Sequence, residues 1–179
     1  GFVCVSLGES PPGIDGWLGD FGEVHEASNL SDLVTTHRRE FTVECNWKGF
    51  AEVFNEYYHL PYVHPTSIDG TYNEPDEPES VTGAFATHFG TTEGTGGLLD
   101  GTQEHMLPVI GELSGRLRSG VRYSWLFPNT VVALGSDAMW MYEIYPDGPD
   151  RCRCAQVVCF PQSTIDLDGF DVKSEAYYG

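Results

Sequence analysis

The spacing of apolar positions changes along the chain, and each change predicts an element. Residues 2 to 7 (Phe2-Val3-Cys4-Val5 and onward) read as a short buried strand, broken by Pro11-Pro12-Gly13. A turn-rich passage carrying Trp17-Leu18 follows. Phe41 to Trp47 is β-prone and roughly alternating. From Gly49 to Leu60 the apolar residues Phe50, Val53, Phe54, Tyr57 and Tyr58 recur at spacings of three and four, which predicts an amphipathic helix. Pro61 would end that helix, because proline biases the residue before it away from helical geometry. The back half predicts three strands, 123–134, 138–145 and 151–160. Gly135-Ser136-Asp137 and Asp147-Gly148-Pro149-Asp150 separate them, so an antiparallel meander is the natural arrangement. Asp168-Gly169 then leads into a helix. Residues 66 to 80, with Glu74-Pro75-Asp76-Glu77-Pro78-Glu79, read as a polar loop, and Thr91 to Gly97 as a second loop without phosphate-loop spacing. The predicted fold class is α+β, one antiparallel sheet with helices packed on one face, in a single domain over residues 1–179.

Composition narrows the partners. The formal charge of -18 over 179 residues leaves no basic face for a phosphate backbone, so nucleic acid is excluded as a partner. An acidic surface aids solubility and tolerates a cation. No stretch reaches membrane-spanning length and no signal sequence opens the chain, so no membrane partner is expected and the cytoplasm is the expected compartment. The five cysteines show no framework spacing. Cys152 and Cys154 alternate onto one face of a strand, where packing explains them better than half a metal motif. Gly1 opens on a strand already under way, and Ala176-Tyr177-Tyr178-Gly179 stops where a helix is beginning. Both ends read as cut, predicting a fragment of a longer polypeptide.

The candidate chemistry lies in Glu56-Tyr57-Tyr58-His59-Leu60-Pro61-Tyr62-Val63-His64. On an unbroken helix, residues five apart differ by about 140° in direction, so His59 and His64 converge only if the helix breaks between them. Pro61 is placed to supply the break. This is not the i, i+4 pair of zinc proteases. Two imidazoles with one carboxylate on one face of a metal is the arrangement that leaves positions open for dioxygen and substrate on Fe(II). Taken alone, a His-x4-His pair is more often two unrelated, hydrogen-bonded histidines.

The flanking residues change that balance. Asn46-Trp47-Lys48, eight residues, then Glu-x-Tyr-His-x-Pro-x-Val-His-Pro resembles the iron site of Rieske non-haem iron oxygenases, in the catalytic domain of the ring-hydroxylating α subunit. Tyr123-Ser124-Trp125-Leu126-Phe127-Pro128-Asn129, Pro146-Asp147-Gly148-Pro149-Asp150-Arg151 and Cys159-Phe160-Pro161 resemble its sheet. The resemblance implies a helix-grip (START-like) fold, with His59 and His64 as metal ligands of a mononuclear Fe(II). Glu56 stands where the family has an acidic residue, often Asp, that links histidines for electron transfer between subunits. A carboxylate suits that role because it orients a ligand imidazole through its second nitrogen. Val53 replaces an Asn that many members carry.

The resemblance further implies a [2Fe-2S] Rieske cluster held by a Cys-x-His and a Cys-x-x-His pair in a preceding domain, and this chain has neither motif. It implies an Asp as third iron ligand on a long C-terminal helix, beyond Gly179. Asp166, Asp168 and Asp171 instead mark a turn and a helix start. Implied partners are O2, a small-molecule substrate, a reductase or ferredoxin delivering electrons from NAD(P)H, and two further copies in a homotrimer. The substrate expected is a quaternary amine, with Tyr57, Tyr58, Tyr62, Trp125, Trp140 and Tyr142 as candidates for a cation–π cage, although core packing accounts for most such rings. Alternatives are an aromatic-ring-hydroxylating dioxygenase, a metal-free helix-grip ligand-binding module and, with least support, a zinc hydrolase.

Overall fold

Pairing between the back-half strands and two strands from the front half makes one sheet. A computed structural model describes residues 3–65, 77, 79–92 and 105–178. In chain order the strands are β1 (Leu33–Val43), β2 (Phe85–Thr91), β3 (Gly120–Leu126), β4 (Thr130–Leu134), β5 (Met139–Pro146) and β6 (Cys152–Pro161). All neighbours are antiparallel, in the order β1-β6-β5-β4-β3-β2. Strands β3 to β6 form the meander expected of the back half; β2, for which no strand was expected, adds one edge beside β3, and β1 lies at the other edge against β6. The α+β class read from the sequence holds. The helices are α1 (Ile14–Leu18), α2 (Phe21–Val24), α3 (Trp47–Glu52), α4 (Leu60–Val63), α5 (Gln162–Ile165) and α6 (Phe170–Tyr178). Among the described residues, no helix is long and apolar enough to cross a membrane.

Several expectations about individual elements are overturned. Val3, Val5 and Leu7 belong to no strand and are exposed. An apolar run needs a partner edge to become a buried strand, and here β6 takes β1 instead. The turn-rich passage after Gly13 holds two short helices. β1 starts at Leu33 and ends at Val43, because Asn46 caps α3 and draws Trp47 into that helix. The single run 123–134 is two strands. Phe127-Pro128-Asn129 forms the hairpin turn between them, and Pro128 has no N–H to give a ladder. The loops expected over residues 66–80 and 91–97 lie largely outside the described residues.

Strict alternation divides the core between the two faces of the sheet. Phe85, Leu126, Val132, Leu134, Met139, Met141, Val157 and Cys159 face one side, where Leu18, Phe21 and Val24 of α1 and α2 cover them. Val131, Ile144, Cys152 and Cys154 face the other, under Trp47, Phe50, Ala51 and Phe54. The same side carries Val158 and Phe160 against Phe170 of α6. The longer helices α3 and α6 therefore share one face. Cys152 and Cys154 are buried with their sulfurs 3.9 Å apart, as packing residues.

Burial pushes the Cys154 thiol up to about 12, far from a reactive thiolate.

Candidate metal centre

The Asn-Trp-Lys signature starts the helix that leads to the histidines. Asn46 takes extended backbone geometry, its Oδ1 accepts from the Lys48 N–H at 3.0 Å, and its Nδ2 donates to the Pro149 carbonyl at 2.7 Å. That one side chain caps α3 and ties it to the β5–β6 turn. Trp47, Phe50, Ala51 and Phe54 then press the helix onto the sheet.

The predicted continuous helix over 49–60 is interrupted earlier than expected. α3 gives way to a 3-10 turn, Val53–Asn55, and Glu56 is fully extended at φ -145°, ψ 162°. Pro61 does not end a helix. It lies in the first turn of α4, where its missing N–H would have had no partner in any case. His59 caps the start of α4 and His64 its end. The break that lets the imidazoles meet is therefore the extended Glu56 together with the shortness of α4.

The two rings meet edge to face with centres 5.7 Å apart. Glu56 grips His59 twice: Oε2 accepts the His59 backbone N–H at 3.1 Å, and Oε1 bonds the ring Nδ1. With Nδ1–H donating to the carboxylate, Nε2 presents its lone pair. This is the orientation in which a metal-ligating imidazole is normally held. A metal–nitrogen distance of about 2.1 Å puts each ring centre roughly 3.2 Å from the ion, so two bound rings stand about 4.5 to 5.5 Å apart. The observed 5.7 Å lies just beyond that range, and the pair fits a shared ion after a closure of a few tenths of an ångström. His59 and Glu56 are each 21% exposed at the side chain, leaving the site open to small molecules. Among the described residues, no group of three or more His, Cys, Asp or Glu side chains is arranged to hold a metal. Asp171 sits in the first turn of α6, and Asp166 accepts from Gln162 at 2.8 Å at the end of α5.

Behind Glu56 the sheet presents a wall of rings. Tyr57 stands edge-on to His88 of β2 at 5.2 Å, and His88 stacks on Tyr123 of β3 at 5.4 Å and 20°. Tyr123 continues to Trp140 of β5 at 6.5 Å. The Tyr57 hydroxyl fits here because β2 has glycine opposite it: a Cβ at Gly90 would lie 1.9 Å from that oxygen. His88 is buried, and among the described residues its Nε2 has no hydrogen-bond partner. Burial lowers its pKa to about 4, helped by the Arg122 charge and opposed by Glu56, so the ring is neutral. Of the six rings expected in a cage, only Tyr57 and Trp140 join this wall. Tyr58 and Tyr62 are exposed, Trp125 bonds the Pro128 carbonyl, and Tyr142 packs among Phe41, Phe50 and Phe54. Sequence reasoning missed His88 and Tyr123. Their signal is the alternation of Phe85, Thr87 and Phe89 with Ala86, His88 and Gly90, which marks β2 as a strand with His88 on the site's face.

The family model of the ring-hydroxylating alpha subunit, catalytic domain, matches residues 30–177. The chain belongs to this family. Choline monooxygenase of Arabidopsis thaliana, a chloroplastic protein, is 27% identical over 161 residues, which is 88% of this chain and 35% of that protein. The chain thus spans about a third of the curated relatives it matches. Two solved members of similar fold are naphthalene 1,2-dioxygenase from Rhodococcus sp. bound to indole and a quaternary ammonium Rieske monooxygenase. The first has a TM-score of 0.68 at 18% identity and covers 97% of this chain and 46% of its own. The second has a TM-score of 0.66 at 17% identity and covers 96% of this chain and 43% of its own. As a ring-hydroxylating alpha-subunit catalytic domain, the chain has the Rieske oxygenase fold, and the segment bearing Glu56, His59 and His64 follows α3.

Proposed function

We propose that this domain holds mononuclear Fe(II) on His59 and His64 and, within a longer oxygenase subunit, oxidises a quaternary amine at a C–H bond. The observation that carries the reading is the Glu56 grip on His59 Nδ1, which leaves Nε2 as the ligating nitrogen of a ring whose centre is 5.7 Å from that of His64. Bound Fe(II) would supply the site at which O2 is activated. The chain's own residues do the rest. Glu56 fixes the tautomer and direction of His59, and α4 holds the two imidazoles at its ends. The faces of Tyr57, Tyr123 and Trp140 suit the cationic head of a quaternary amine, since a ring's electron-rich face attracts a cation. Similarity to choline monooxygenase favours the amine over an aromatic substrate.

In this reading residues 1–179 are one mononuclear-iron domain of a subunit that also carries a [2Fe-2S] Rieske cluster. A reductase or ferredoxin passes electrons from NAD(P)H to that cluster. The subunit is a cytoplasmic homotrimer in which Glu56 also serves the route between one protomer's cluster and its neighbour's iron. The test is anaerobic reconstitution of the full-length subunit. Metal analysis should find one iron beyond the cluster, lost in His59→Ala and His64→Ala, and choline should stimulate NADH oxidation with a matched reductase. A wild-type subunit without that iron, or histidine variants with unchanged turnover, would overturn the reading.

A further inference from the structure

We infer that His88 is a specificity-determining residue whose Nε2 hydrogen-bonds the oxygen function, hydroxyl or carboxylate, of a bound quaternary amine. The inference rests on the proposed function and deepens it by naming what the substrate must carry besides its cation. His88 is 7% exposed, yet among the described residues Nε2 has no partner. A buried polar atom without a partner is costly, and native structures keep few of them without cause. The ring cannot readily turn to find another partner, because Tyr123 stacks on one side at 5.4 Å and Tyr57 meets it edge-on at 5.2 Å. Strand alternation puts it on the sheet face that carries α3 and Glu56, in the same row as Gly90, where the Tyr57 hydroxyl rests. The rings beside it can take a cationic head, and His88 Nε2 can read a polar tail next to it. Its depressed basicity makes it a neutral partner, suited to an oxygen and not to an ion pair.

The test compares choline with ethyltrimethylammonium, which has the same cation and lacks the hydroxyl. Dissociation constants are measured by calorimetry on the full-length, iron-loaded subunit without reductant, so that no turnover intervenes. Wild type should prefer choline about tenfold, the usual worth of one net hydrogen bond. His88→Phe, which keeps the ring and its stacking, should bind both ligands alike, and His88→Gln should restore part of the preference. Iron content should stay at the wild-type level in both variants. A preference that survives in His88→Phe, or a wild type that binds both ligands equally, overturns the role of His88 while leaving the amine reading intact. A wild type that binds neither ligand overturns the amine reading itself, and the His88 assignment with it. If the Phe variant fails to fold, the Gln variant decides: it must retain choline preference above that of His88→Ala.

Discussion

The carboxylate of Glu56 is the residue on which the candidate centre depends most. Its two oxygens hold a backbone N–H and a ring nitrogen of the same histidine, so one side chain sets both where His59 sits and how it points. Glu56→Gln keeps the size and one acceptor but loses the charge. Outer partners of this kind are worth 10- to 100-fold in metal affinity. Iron titration of the variant should therefore show a dissociation constant about 10- to 100-fold weaker, with folding unchanged. Gly90 is the second sensitive position. A methyl there would meet the Tyr57 oxygen at 1.9 Å and ring carbon at 2.7 Å. Gly90→Ala should cost about 1–3 kcal/mol in urea unfolding, the usual penalty of overpacking. Adding Tyr57→Phe should recover part of it, since the nearest clashing atom is then gone; a strictly additive loss would argue against this contact.

Among elements, α3 and α2 each have a polar side chain that ties them to the rest of the domain. Asn46→Ala removes the cap of α3 and its tie to Pro149, and should lower stability by about 1–2 kcal/mol by denaturant titration. His25 pins α2: its Nδ1 donates to the Phe21 carbonyl at 2.7 Å, and its Nε2 accepts from the Ser124 hydroxyl at 2.9 Å. Burial is the main reason its pKa falls from 6.5 to about 4, with the Phe21 bond opposing. The unfolded chain then binds more protons than the folded one between those values. Stability should be full above about pH 6.5 and fall as the pH drops toward 4, by about 3 kcal/mol for this group. Melting curves of wild type and His25→Gln across that range should converge at the acid end. The elements differ in how far the sequence discloses them. The meander was legible because Gly135-Ser136-Asp137 and Asp147-Gly148-Pro149-Asp150 are strong local punctuation. The hairpin at Pro128 was hidden because Tyr123 to Leu134 is apolar on both faces and so lacks a period. The break at Glu56 was hidden too, since a glutamate in a helical pattern is ordinarily helical, whereas here its backbone is extended and its side chain bonds His59. The five-residue spacing of the histidines shows that a break is needed for them to meet, but not that Glu56 supplies it while Pro61 lies inside α4.

At the scale of the whole chain, the charge of -18 sets a background that no single contact removes. Like charges on a compact body repel, and salt screens them over a Debye length of about 10 Å at 0.1 M. Raising NaCl from about 0.02 to 0.5 M should stabilise the domain by about 1 kcal/mol, or about 2–4 °C in Tm, by calorimetry. A salt-independent Tm would mean the acidic groups are too dispersed to act together. The strand order has a different consequence, in time. β1 pairs with β6 alone, Leu33 opposite Pro161 and Val43 opposite Cys152. The segment bearing Glu56, His59 and His64 hangs between β1 and β2, so one of its two supports stays loose until more than a hundred further residues have been made. Closing so long a loop is slow. On the ribosome, the histidines leave the tunnel long before their scaffold exists, and the pair is brought together among the last features of the fold.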